Sequence, residues 1–393
     1  MKRYLTSAAV FITLISAVTA TSALGQQTDP DVAAVVADVE QARLFAHIEE
    51  MAEPRSALED EIDQLDATAD YVQSQLEGYG LEVVLQDVEF EDDELGAIVS
   101  PNVIGVKAGS ECADRIFVVG GHYDSVPESP GADDDASGTA GMLEIARVLA
   151  DVDLPASVYF TGFTLEELGL IGSRKMAGDF AAADAEVVGM FSLEMIGYTD
   201  EASGSEFILV LGNEASAPLL EAVEQAKSYV PDLPIVTLAA AGNGESSPDT
   251  RRSDHAPFWD AGYQALLVTD TANFRNPNYH EPSDTIETLD MPFATSVTKA
   301  MLATTMLYLT RDEDGDGAAD VCTAPLLATA TPAPAATPIP AAPTVVPAAT
   351  QASGVTLPET GTGDDTREIA LLAAAVVLGV LAVAVIVIPR RGT

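Results

Sequence analysis

The chain has 393 residues, 62 of them acidic and 18 basic, for a formal net charge of −44. A surface this negative repels nucleic acid and anionic lipid, so neither is a partner the composition supports. Two cysteines, Cys112 and Cys322, are too few for a four-thiolate metal site; in an oxidising compartment they are able to pair and close a long loop, and two unrelated thiols is the other reading.

From the amino end, Met1-Lys2-Arg3, an apolar run over Ala8–Val18 and small residues at Ala20, Ala23 and Gly25 have the order of a signal peptide, residues 1–25; an uncleaved membrane anchor is the other reading, for which the run is short. The globular body is expected over 26–311, long enough to bury one full core. Helices are predicted over Asp31–Glu50 and Pro54–Gly80. In the second, Leu58, Ile62, Leu65, Ala69, Val72 and Leu76 recur at helical spacing, and Gly78 and Gly80 mark its end. A strand over Leu81–Val88 follows.

From there a pattern repeats: an apolar strand, then a histidine or carboxylate just past its end. Ile116–Val119 leads to His122, Ser157–Phe160 to Glu166 and Glu167, Val187–Leu193 to Glu194, and Ala265–Val268 to a loop carrying His280. Helices over Ser137–Leu149 and Ala215–Tyr229 intervene. This alternation predicts a single α/β domain, a mostly parallel mixed sheet sandwiched by helices. In such folds the site lies at the carboxyl ends of the strands, which is where these five residues fall.

Their types suit a divalent metal. A ligating imidazole needs its second nitrogen held by an acceptor, and Asp124, two residues after His122, is placed for that. Asp133-Asp134-Asp135 stand between Gly131 and Gly138; such a cluster is either a solvated acidic loop or, if buried, needs cations. Glu166-Glu167 and Glu194 are flanked by apolar residues, an expensive setting for an unpartnered charge. Adjacent carboxylates are able to divide the work, one binding metal and the other moving a proton. A lone histidine is usually structural, but the chain has only four, and His122 and His280 both fall past strand ends. Two histidines, several carboxylates and no thiolate fit zinc or a similar ion, and two metals sharing a carboxylate absorb this much negative charge.

Beyond the body, Asp312, Asp314, Asp316 and Asp320 occupy positions 1, 3, 5 and 9 of a calcium-type loop, with Gly317 at position 6. Thr323 stands where the bidentate Glu of an EF-hand belongs, so residues 312–322 read as a calcium repeat of an extracellular spacer, or as an acidic linker. Residues 323–356, rich in Ala, Pro and Thr, read as an extended stalk. Residues 357–393 hold Leu357-Pro358-Glu359-Thr360-Gly361, an apolar run over 369–388 long enough to span a bilayer, and Arg390-Arg391. This order resembles the sorting signal of sortase substrates. The resemblance implies cleavage after Thr360, sortase as partner, and attachment to the cell wall. A plain membrane tail anchor is the alternative. Either way the body is expected outside the cell.

The segments GGHYDSV, SPGADDDASGTAGMLEIARVL, EELGLIGS, LEMIGY, RRSDHAPFW and NYHEPSDTIETLD, within Ala42–Leu309, resemble metallopeptidase family 28 in order and spacing. That family includes secreted bacterial leucine aminopeptidases, glutamate carboxypeptidase II and single-zinc glutaminyl cyclases. The resemblance implies a zinc-exopeptidase, phosphorylase/hydrolase-like fold and two zinc ions per chain acting on peptide substrates. His122 and Glu194 would bind one zinc, Glu167 and His280 the other, and Asp134 both. Glu166 would be the general base and Tyr279 would steady the oxyanion. Arg252 and the Asp254-His255 pair would line the substrate pocket. Relatives often carry Asp where Glu194 stands, which bears on how a free amine is held. Aminopeptidase is therefore the leading expectation, with a single-zinc cyclase, a carboxypeptidase and a non-catalytic wall-anchored binding module as alternatives.

Overall fold

The computed structural model describes residues 29–93, 95–200 and 206–325. The signal peptide, the stalk from residue 326, the Leu357–Gly361 motif and the apolar run at 369–388 lie outside the described residues. Among the described residues no helix is long and apolar enough to cross a membrane.

The first predicted helix is two, α1 (Pro30–Ala37) and α2 (Gln41–Met51). The break falls where the Glu40 amide turns out of helical bonding and donates to the buried carboxylate of Glu144 at 2.7 Å. The second begins eight residues late, as α3 (Ile62–Gly78), with Leu65, Ala69, Val72 and Leu76 buried on one face. Residues 54–61 stay irregular because Arg55 is drawn under the site loops, as described below.

Strand β1 (Glu82–Asp92) forms an antiparallel hairpin with β2 (Gly96–Lys107), an element the sequence reading did not place. Next come β3 (Cys112–His122), α4 (Gly138–Leu149), β4 (Ala156–Phe163), α5 (Ile171–Ala182) and β5 (Glu186–Leu193). Then follow β6 (Ile208–Asn213), α6 (Ala217–Ala226), β7 (Ile235–Ala240), α7 (His255–Asp260), β8 (Leu266–Thr269), α8 (Met291–Leu309) and α9 (Asp320–Thr323). The eight strands lie in the order β1-β2-β4-β3-β5-β8-β6-β7. The central four, β4-β3-β5-β8, are mutually parallel, while β2 meets β4 and β6 meets β8 antiparallel.

Two apolar layers flank the sheet. One gathers α1 to α4, α6 and α8; the other holds Met176, Ala177 and Phe180 of α5 with Phe258 and Trp259 of α7. Helix α8 is buried nearly all round, and Thr295, Thr298, Thr304 and Thr305 satisfy their hydroxyls on carbonyls four residues back. Chain order places β4 on one side of β3 and β5 on the other. That reversal opens a crevice at the carboxyl end of β3, the position of His122.

Cys112, at the start of β3, is joined to Cys322 in α9, with the Cα atoms 5.6 Å apart. Arg115 donates to the carbonyls of Val321 and Ala324, and Ala319 and Val321 are buried, so residues 319–324 are stitched to the central sheet. The bond closes a span of 210 residues. Replacing either cysteine with serine is expected to cost about 2–5 kcal/mol by releasing the unfolded chain. Denaturant titration of variant and parent checks this, and coincident midpoints would count against it.

Candidate metal centre

Four strand ends and one turn build the site. Strand β3 delivers His122, paired with Phe163 at the end of β4. Three residues beyond Phe163 comes Glu166, then Glu167. Strand β5 delivers Glu194 immediately after its last residue, and β8 leads to Asp270 and on to His280. The acidic turn 132–137 fits against these ends because its flanks are glycine. Gly131 has φ +55°, and a Cβ there would lie 2.3 Å from the Asp134 carbonyl. At Gly138 a Cβ would lie 1.9 Å from the carbonyl of Leu193.

The three aspartates of the turn are all buried, which rules out the solvated-loop reading. They do different things. Asp135 accepts from the amides of His122, Gly138 and Met195, tying β3, α4 and the β5 loop together. Asp133 accepts from the Gly197 amide and from Asn276 Nδ2. Asp134 alone has both oxygens without a hydrogen-bond donor. The 134–135 peptide is cis. From below, the Asp284 carboxylate accepts the amides of Asp133 and Asp134, both at 3.0 Å.

Asp134 Oδ1 lies 3.1 Å from His122 Nε2, and Oδ2 lies 3.1 Å from His280 Nε2. His122 Nε2 is 3.4 Å from Glu194 Oε2, and His280 Nε2 is 3.2 Å from Glu167 Oε2. The residues thus form one row, Glu194, His122, Asp134, His280, Glu167, with Asp134 in the middle. His122 Nε2, both Asp134 oxygens and Glu167 Oε1 are buried and lack hydrogen-bond partners. Buried polar atoms are rarely left so. Close nitrogens and oxygens that do not hydrogen-bond one another, in a set of imidazole and carboxylate donors, fit divalent zinc. Asp135 also lies within 4.8 Å of His122 and Glu194, but its oxygens are already committed to three amides, so Asp134 is the better ligand.

Electrostatics agree. Burial works against a charged His280 ring, but Asp134 and Glu167 outweigh it and push its pKa up to about 10. Burial, reinforced by Asp134, pushes Glu167 up to about 7. Glu166 is raised well above the usual carboxylate range, first by burial; His122 opposes the rise, while Glu194, Glu167 and Asp254 add to it. These opposed shifts describe a nest of like charges with too few protein cations.

Asp124 does more than its position suggested. His122 Nδ1 meets the Asp124 carbonyl at 3.1 Å and its carboxylate at 3.4 Å. The carboxylate accepts its hydrogen bonds from the amides of Glu166 and Glu167, clasping the turn that holds both, where Leu165 sits at φ 53°. Tyr279 stacks on the His280 ring, centroids 3.7 Å apart. Arg252 reaches the Tyr279 hydroxyl rather than an open pocket. His255 packs edge-on to Trp259 and binds the Thr250 carbonyl, a core role. Asp254 is buried, and burial pushes it up to about 7.

The sequence reading missed several residues. Ser253 donates to Glu194 Oε2 at 3.0 Å and is itself paired with Ser192. Arg55, fully buried, spends its guanidinium on the carbonyls of Glu53, Tyr123, Pro130 and Gly131, fixing the loop from His122 to the acidic turn. Nothing local marks either. Asp284 had a faint signal, a carboxylate four residues after His280. At the far end, Asp312, Asp314 and Asp316 are exposed with ligand atoms within 4.8 Å of one another. Asp320 instead turns its carboxylate to Arg311 and the Glu313 amide.

The sequence matches Peptidase family M28 over residues 102–305. It is similar to the uncharacterized protein YfbL of Escherichia coli (strain K12), 32% identical over 281 residues covering 65% of this chain and 83% of that protein. It is similar also to Aminopeptidase YwaD of Bacillus subtilis (strain 168), 33% identical over 200 residues, 48% of this chain and only 40% of that protein. Among solved structures, the LapA aminopeptidase of Legionella pneumophila superposes with a TM-score of 0.59 at 22% identity, covering 73% of this chain and 76% of that one. The glutaminyl cyclase of Macrostomum lignano gives 0.60 at 17% identity, covering 72% and 94%. At such identities the two structures show a shared fold.

Proposed function

Because the chain belongs to peptidase family M28, we propose that this zinc metallopeptidase is a two-zinc aminopeptidase, removing the amino-terminal residue of peptides outside the cell. The observation that carries the reading is Asp134, buried and unbonded between two histidines, each backed by its own carboxylate. His122 and Glu194 would hold one zinc, His280 and Glu167 the second, and Asp134 both. Bound zinc supplies Lewis-acid polarisation of the scissile carbonyl and makes water acidic enough to attack near neutral pH.

The chain supplies the rest. Glu166, whose pKa burial holds high, takes a proton from the attacking water and returns it to the leaving amine. Tyr279 offers its hydroxyl to the oxygen that gains charge, which is worth most in a site that excludes water. Asp124 keeps the Glu166–Glu167 turn at fixed distance from His122, so base and ligands move as a unit. Export by residues 1–25 and attachment through Leu357–Gly361 belong to the same reading. A single-zinc glutaminyl cyclase is the second reading, favoured by the shared fold; the complete set of five ligands favours two ions.

Metal per chain, measured on purified protein, is expected to be two. Aminoacyl-nitroanilides should be cleaved, amino-blocked peptides spared, and chelator should abolish turnover. Cyclisation of an N-terminal glutamine peptide with one metal per chain would establish the second reading, and protein that neither binds zinc nor responds to chelator would sink both.

A further inference from the structure

Arg252 is exposed, yet both terminal nitrogens of its guanidinium are directed. Nη2 donates to the Tyr279 hydroxyl at 2.9 Å, and Nη1 donates to Asn273 Oδ1 at 2.7 Å. The guanidinium carbon lies 5.5 Å from the centroid of the Tyr279 ring. An exposed arginine gives up roughly 1.5–2 kcal/mol of rotamer entropy when held in one place, so a geometry with two directed bonds and a ring contact calls for a reason.

The partner at its far end is itself held. Asn273 sits in a tight turn, Ala272–Phe274, entered through Thr271 at φ 85° and Ala272 at φ 45°. Side chains other than glycine rarely adopt that backbone unless their surroundings impose it. Here Asp270 imposes it, accepting the Ala272 amide with one oxygen and the Tyr198 amide with the other. On the exit side Asn276 is pinned to Asp133 Oδ2. Residues 270–276 are therefore a braced segment that presents Asn273 to Arg252, and Arg252 in turn meets Tyr279 against the His280 ring.

We propose that Arg252 is a positioning residue for Tyr279, not a receptor for the substrate's own charge. A phenol has one proton to donate and lone pairs to accept with. Accepting from Arg252 occupies a lone pair and leaves the proton free to point at a substrate oxygen. A cationic donor polarises the hydroxyl, which strengthens the bond it then gives. Asn273 sets where Arg252 stands. This rests on the reading of Tyr279 as the oxyanion donor.

The test is a double-mutant cycle on the full chain with an aminoacyl-nitroanilide, with metal content measured for every variant. Tyr279→Phe is expected to lower kcat about 100-fold, the scale of one lost oxyanion donor. Arg252→Met should lower kcat about tenfold with KM within about twofold, since only part of that stabilisation depends on alignment. The double variant should be no worse than about twofold below Tyr279→Phe, because Arg252 has nothing left to align. Asn273→Ala, which touches neither Tyr279 nor metal ligands, should lower kcat about threefold, a fraction of the loss in Arg252→Met. A rise in KM with kcat intact in Arg252→Met would overturn the proposal and make Arg252 a substrate anchor. Fully multiplicative losses in the double variant would overturn it too. Unchanged kcat in Tyr279→Phe, with Glu166→Gln inactive, would remove the clamp while leaving the peptidase reading intact; hydrolysis untouched in both would end that reading as well.

Discussion

With two zinc ions bound as proposed, Glu166→Gln is expected to keep both and to lose between about 100- and 10,000-fold in kcat, the range a positioned general base contributes. The substitution keeps the side chain's size, and its backbone amide stays bonded to Asp124 Oδ1, so the turn carrying Glu167 does not shift. None of the close contacts among Glu194, His122, Asp134, His280 and Glu167 involves Glu166, which is why metal stoichiometry should survive. Burial is the first thing that disfavours a charged carboxylate here, and Glu194, Glu167 and Asp254 add to it against the pull of His122. A neutral amide escapes that burial penalty, so the thermal stability of the metal-free protein should hold or rise while turnover collapses. Unfolding temperature, metal per chain and kcat measured together separate this outcome from simple damage. Full turnover in the variant would show that some other group moves the proton.

What the sequence revealed followed from periodicity and from residue type at strand ends. His122, Glu194 and the Glu166–Glu167 pair each stand just past an apolar run, so their convergence followed once a parallel sheet was inferred. The family resemblance singled out Asp134, but what Asp133 and Asp135 do was not legible. It depends on which carboxylate meets the amides of Met195 and Gly197, some sixty residues on, and no local pattern encodes a partner that distant. Arg55 was hidden for the same reason: its partners are backbone carbonyls, which leave no mark in a sequence. The break between α1 and α2 is likewise a tertiary effect, since Glu144 claims the Glu40 amide from a helix about a hundred residues away. Strands β6 and β7 were passed over, and β7, at the sheet edge, has Val236 and Leu238 exposed, against the burial that apolar runs usually signal.

Asp134→Asn isolates the feature that distinguishes this aspartate from its neighbours. The neutral amide has the same shape, so the turn should close as before: its backbone is held by Asp284 from outside and by Asp133 and Asp135 within. What disappears is, among the described residues, the one anionic group in contact with both His122 and His280. Loss of a group that only braces a ligand already costs 10- to 100-fold in metal affinity, so loss of the proposed shared ligand should exceed about 100-fold. On the proposed two-zinc reading, metal per chain should fall below two, with activity lost in proportion to the missing ion. Asp133→Ala is the contrasting case. It strips the acceptor from the Gly197 amide and from Asn276, leaving buried donors unsatisfied at about 1–3 kcal/mol each, while every atom of the row from Glu194 to Glu167 remains. That variant should unfold at lower denaturant yet still load zinc. If the two variants behaved alike, losing metal together or keeping it together, Asp134 would have no special place between the histidines, and the centre would need a different set of ligands.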